Sequence, residues 1–137
     1  MILPYETIFS RALSRIDDPK ELALDSNDFV EIYTERLHNV LGDTRVRRLF
    51  SSITLDDEVQ EVSFELENSI DESSDVEYVC RLFVLGITIE WLSPRVDSLN
   101  YTLMMLGGKE EKMLNNPYKL LQARLDNVKK ELSKTIR

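Results

Sequence analysis

Apolar side chains recur early in the chain at Ile8, Phe9, Ala12, Leu13 and Ile16, the three-and-four spacing of one helix face. This predicts a helix over 4–16, with Pro4 in the first turn, where a missing N–H costs nothing. Asp17, Asp18 and Pro19 stop it. Phe29, Ile32, Tyr33, Leu37, Val40 and Leu41 repeat the spacing and predict a second helix over 26–41. Asp25 or Ser26 can cap its start, and Gly42 is placed to follow its end. Val46, Leu49 and Phe50 suggest a further turn of helix within 43–50, carrying Arg45, Arg47 and Arg48.

The period then changes from helical to two. Val62, Phe64 and Leu66 alternate with Glu61, Ser63, Glu65 and Glu67, and Ile53 and Leu55 alternate with Ser52, Thr54 and Asp56. Alternation of this kind predicts half-buried strands. The break at Asp56, Asp57 and Glu58 supplies a turn, so a β-hairpin or extended arm is expected over about 51–67. Its exposed face would carry Asp56, Asp57, Glu58, Glu61, Glu65 and Glu67, and such charges blunt a sheet edge against aggregation.

From Val76 to Leu92 the chain is apolar nearly all round, which predicts a central helix over 75–92, covered on most sides. Ser74 and Glu77 have the spacing of a capping box. Gly86 sits mid-helix at a propensity cost of about 1 kcal/mol, so it marks a close approach by another helix. Ser93 and Pro94 read as a break and a restart. Val96, Leu99, Leu103 and Leu106 then form a stripe that Gly107 and Gly108 end. Asn115, Asn116 and Pro117 read as the start of a last helix, about 117–136, with Leu121, Leu125, Val128, Leu132 and Ile136 on one face. The fold class expected is mainly α: a single domain over 1–137, a bundle of about four to five helices with the hairpin or arm inserted.

Composition narrows the picture. The chain has 137 residues, 42% apolar and 31% charged, which suits one domain with its own core. The net charge is −8 and unevenly spread: residues 1–80 hold 19 acids and 7 bases, residues 81–137 hold 6 acids and 10 bases. A non-specific nucleic-acid binder needs the opposite overall sign. The polarity between halves suits contact between copies. The longest apolar run is far too short to span a bilayer, and the N-terminal residues lack the basic region of a signal peptide.

Candidate chemistry is sparse. "MMLGGKEEKM" (104–113) looks like a phosphate loop, but Lys109 is followed by Glu110, the first glycine is missing, and a helix precedes where a strand is needed. "DESSDVEYVCRL" (71–82) lacks the glycine and final glutamate of a calcium loop. His38 is the single histidine and has no second ligand at metal spacing. Cys80 reads as a small buried hydrophobe. No catalytic, cofactor or metal residues are expected, and the chain reads as a non-enzyme. Met104, Met105 and Met113, around the joint at Gly107 and Gly108, suit an adaptable contact surface. With Val62, Phe64 and Leu66 of the hairpin, they are the expected contacts to other copies or partners. Asp56, Asp57, Glu58, Glu61 and Glu65 are the expected acidic arm.

The segment "VEYVCRLFVLGITIEWLSPRVDSLNYTLMMLGGKEEKM", with the acidic segment before it, resembles small proteins of tailed-phage structural clusters. Those share an E-W-L-x-P-x-V segment, a G-G-K-E-x-K joint and a charged C-terminal helix. The resemblance covers about residues 28–137 and points to the head–tail connector (neck or adaptor) family. It implies a structural virion protein at the neck, made in the bacterial host cytoplasm. Copies would form a ring of about twelve, docked under the portal protein and followed by the next neck or tail ring protein. DNA would pass through without sequence-specific binding, and an acidic arm at the lumen would keep the duplex from sticking. The alternative is a non-virion cytosolic helical interaction module or small regulator.

Overall fold

The computed structural model describes residues 1–106 and 108–137, leaving aside the side chains of Lys109 and Glu111. Among the described residues nine elements follow one another: β1 (Ile2–Pro4), α1 (Tyr5–Ile16), α2 (Pro19–Leu22), α3 (Ser26–Leu41), α4 (Thr44–Arg47), β2 (Phe50–Asp56), β3 (Glu61–Leu66), α5 (Glu72–Met105) and α6 (Lys109–Thr135). The chain is mainly α, with a small antiparallel sheet of order β1-β3-β2.

The sheet holds one element that the hydrophobic pattern does not reveal. Ile2, Leu3 and Pro4 pair with Ser63, Val62 and Glu61, making β1 an edge strand beside β3. Pro4 is extended (φ −65°, ψ 143°), so it precedes α1 and is not its first turn. An edge strand tolerates proline because the outer side needs no N–H. Three residues are too few to show a period of two. β2 and β3 form the expected hairpin, and Val62, Phe64 and Leu66 turn inward to the core. The terminal amine binds the Phe64 carbonyl at 2.9 Å, and the Tyr5 N–H binds the Gln60 carbonyl at 2.9 Å. The hairpin is therefore pinned at both ends of β1, a paired layer of the domain, where the sequence left open an extended arm.

The largest departure concerns the two long helices. The expected break at Ser93–Pro94 is absent: α5 runs unbroken through Pro94 for 34 residues, about 51 Å at 1.5 Å per residue. Proline inside a helix removes a bond and crowds the preceding turn. Tertiary packing offsets this here, because Trp91, Leu92 and Val96 are all buried. Arg95 also donates to the Trp91 carbonyl at 2.9 Å, within the disturbed turn. Likewise α6 begins at Lys109 and passes through Pro117, so Asn115-Asn116-Pro117 is not a helix start. The start of α5 also differs: Asp71 is the cap, accepting from Ser74 N–H at 2.7 Å. Glu77 is drawn off to Arg11 at 2.8 Å. Asp17, Asp18 and Pro19 do stop α1, with Asp17 left-handed at φ 50°, and Asp18-Pro19 at once opens the short α2.

The body is built around the first half of α5. α1, α3, β1 and α6 pack against it, and Phe83, Leu85, Ile87 and Leu92 are fully enclosed. Gly86 marks the expected close approach: a Cβ there would lie 2.5 Å from a Val40 methyl of α3. Phe9, Phe29 and Tyr33 make an aromatic cluster between α1 and α3, with Phe29 stacked on Tyr33 at 4.3 Å. Burial, then the nearby Glu21 carboxylate, push the Tyr33 phenol up to about 12. Glu21 is itself buried and paired with Arg36 at 2.9 Å, fastening α2 to α3.

Candidate functional site

Past Val96 on α5, and before Leu125 on α6, none of the described residues is buried. The two helices leave the body together as an antiparallel hairpin. Large apolar groups stand exposed near its tip, beside the charged Glu110 and Lys112. Met104, Met105 and Met113 are 77%, 72% and 75% exposed, and Tyr101 and Leu120 are 67% and 73% exposed. Leu99, Leu103, Leu106, Leu114, Tyr118 and Leu121 are only partly covered. The three methionines thus lie where an adaptable contact surface was expected. Gly108 starts α6 at φ +67°, a conformation that costs glycine little and other residues more. Gly107, the other half of the expected joint, lies outside the described residues.

Val62, Phe64 and Leu66 have a different place. All three lie in the chain's own core, so none is presented on the outer surface of the hairpin. The acidic positions alternate with them. Asp56, Asp57, Glu58 and Glu65 are exposed and Glu61 is half-buried. Asp56 stands directly across from Glu61, a like-charge pair that weakens the local ladder. The Asp56 carboxylate accepts from the Glu58 and Val59 N–H groups at 3.1 and 3.3 Å and so shapes the turn. Asp57 faces back toward the body. It accepts from the Tyr5 hydroxyl at 2.6 Å and lies 2.9 Å from His38 Nε2. The Tyr5 hydrogen bond holds its carboxyl below the usual range, helped by His38. His38 therefore has a carboxylate partner that its sequence neighbours do not reveal. The constellation ties the hairpin turn to α1 and α3.

Several grooves lie on the described surface, and two of them bear on the candidate chemistry. One, about 740 Å³, runs between α1, α5 and α6 past Arg11, Glu77, Arg81, Glu131 and Lys134. Its charges largely neutralise one another, through Arg11–Glu77 and Arg81–Glu131 at 2.8 and 3.5 Å. Cys80 is enclosed at its floor as expected, and burial pushes its thiol above the ordinary range. The second, about 400 Å³, lies over Gly86 and is floored by Val40, Val46, Ile89 and Leu132. Among the described residues no group of three His, Cys, Asp or Glu is arranged to hold a metal. Among the described residues no helix is long and apolar enough to cross a membrane.

One buried carboxylate was not legible. Asp75, read as part of the first turn of α5, is fully enclosed. It accepts from the Ile70 N–H at 3.0 Å and from the Ser69 hydroxyl. These bonds, the Ile70 N–H first, hold its carboxyl below the usual range. It clips the β3–α5 connection onto the helix start, a fixing role and not a reactive one. No family model, curated protein or solved structure matches the chain.

Proposed function

We propose that this chain is a structural subunit of a tailed-bacteriophage neck, a head–tail connector that docks under the portal and lines part of the DNA channel. The observation that carries the reading is the projecting α5–α6 hairpin, with its uncovered Tyr101, Met104, Met105 and Met113. A contiguous exposed apolar patch rimmed by polar residues is the signature of a protein–protein contact. The connector resemblance runs through this same hairpin. In this reading the hairpin tip meets the portal or the next neck or tail ring protein, and the copies close into a ring at the neck. The acidic outer face of the sheet repels the phosphate backbone of passing DNA.

The test is co-sedimentation of the purified protein with portal rings, read alongside light scattering. The expected result is a ring-sized complex that carries the protein on the portal. A chain that never co-migrates with portal would overturn the connector reading in favour of a cytosolic helical interaction module.

A further inference from the structure

Two faces of this chain carry opposite charge that the fold leaves unpaired. On α6, Lys119, Lys130 and Lys134 are exposed, and at 100° per residue they fall within about 60° of one another. Leu125, Val128 and Leu132 point roughly the opposite way, into the core. Among the described residues none of the three lysines forms an ion pair. Lys130 and Lys134 are four apart on the helix, a spacing at which like charges repel. Asp126 lies within the stripe and accepts from Gln122 at 3.1 Å; the amide leaves its charge in place, so the face stays net positive.

On the sheet, Glu61 and Glu65 lie on the outer side of β3, with Glu67 just past its end and Glu58 at the turn. Glu65 holds the terminal amine at 3.1 Å. Glu58, Glu61 and Glu67 form no ion pair among the described residues. The two charged rows also match in length. Glu61 to Glu67 spans about 20 Å at 3.3 Å per strand residue. Lys119 to Lys134 spans about 22 Å at 1.5 Å per helix residue.

We infer that the lysine face of α6 docks on the acidic sheet face of a second copy of this chain. The two surfaces are different patches, so the contact is heterologous: each copy offers one face to the next and keeps its other face free for a third. Such a contact either closes into a ring or propagates as a filament. The inference deepens the connector reading by naming the faces through which copies meet, and it requires no portal. A polyanion is the weaker occupant for the lysine face. The chain is net −8, and the acidic sheet face would be drawn with it toward the phosphates.

The test uses charge swaps at exposed positions and at the half-buried Glu61, without portal. One variant carries Lys119→Glu, Lys130→Glu and Lys134→Glu. The other carries Glu58→Lys, Glu61→Lys and Glu67→Lys, which spares Asp56 in the turn. Analytical ultracentrifugation is run on each variant, on the wild type and on the equimolar mixture, with circular dichroism to check folding. Wild type should associate at low salt and weaken at least tenfold between about 50 and 500 mM salt, as screened charge contacts do. Each variant alone should be monomeric, and the mixture should regain association, because each altered face meets an altered partner. Wild type that stays monomeric overturns the inference, as do folded variants that associate like wild type or a mixture that does not recover. A duplex DNA arm addresses the other occupant: wild type that binds DNA through the lysine face and does not self-associate also overturns it. Portal co-migration is a separate readout, so the connector reading can stand where this contact fails.

Discussion

The same pair of helices is built two ways along its length. In the body, α5 from Val79 to Val96 is wrapped by α1, α3, the sheet and the last third of α6, and its apolar side chains are enclosed. In the hairpin, the continuation of α5 and the start of α6 have mainly each other, and large apolar groups face outward. Both stretches are apolar and helical in sequence. What separates them is the supply of partners: in the body α5 has α1, α3, the sheet and α6 to bury against, and in the hairpin it has mainly α6. Apolar groups in the body hold the fold together, and those in the hairpin remain available to bind.

Substitutions should separate the two regions, beginning in the core. Phe64→Ala removes an enclosed ring stacked edge-on against Phe50 and should cost about 3–5 kcal/mol in denaturant unfolding. Gly86→Ala should cost about 1–3 kcal/mol by overpacking against Val40, although alanine is the better helix former. The Val40→Ala background should relieve most of that loss, and a double-mutant cycle checks this coupling.

Asp75→Asn should cost about 1–3 kcal/mol, because the Ile70 N–H and Ser69 hydroxyl lose their carboxylate. The Asp75 carboxyl is depressed in the fold. Its contribution is therefore complete above about pH 4, the unfolded value, and is lost as pH falls through the lower folded value. An acid titration of stability should be shallower below about pH 4 in the variant than in wild type.

At the hairpin tip, Tyr101→Ala with Met104→Ala should change stability by no more than about 0.5 kcal/mol. The same double variant should weaken portal co-migration. A large loss of stability would place the tip with the body and remove the contrast. The smallest effect is expected on the sheet, where Glu61→Thr should stabilise by a few tenths of a kcal/mol by removing the repulsion from Asp56.

Much of the body was legible because each of its elements carries its own periodicity. The stripes of α1 and α3, the alternation at Val62, Phe64 and Leu66, and Gly86 as a contact point all follow from local pattern. The unbroken passage of α5 and α6 through Pro94 and Pro117 was not legible. Proline is a local breaker, and it was overruled by burial of Trp91, Leu92 and Val96, groups whose partners lie far away in sequence. β1 was hidden for a similar reason, since its pairing with β3 spans some sixty residues and leaves no trace in three. At the candidate site, Met104, Met105 and Met113 are read from sequence as contacts to other copies or partners, and the fold leaves all three exposed. The outward face of the sheet was readable from alternation alone, and alternation likewise sends Val62, Phe64 and Leu66 inward. The Asp57–His38–Tyr5 cluster and the buried Asp75 had no sequence signal, because each is made by a tertiary contact.

Trp91, the single tryptophan of the chain, lies near the root of the hairpin. The guanidinium groups of Arg95 and Arg124 lie against its ring, at 4.4 and 5.1 Å from its centre. Arg124 also donates to the carbonyls of Arg15 and Ile16 at 2.9 and 3.3 Å, closing the end of α1. Movement of α6 off the body must therefore pull a cation from the indole face and admit water. Intrinsic fluorescence thus gives an optical gauge of that one junction, with no label attached. A red shift that precedes loss of helical circular dichroism would time the release of the hairpin separately from the melting of the body.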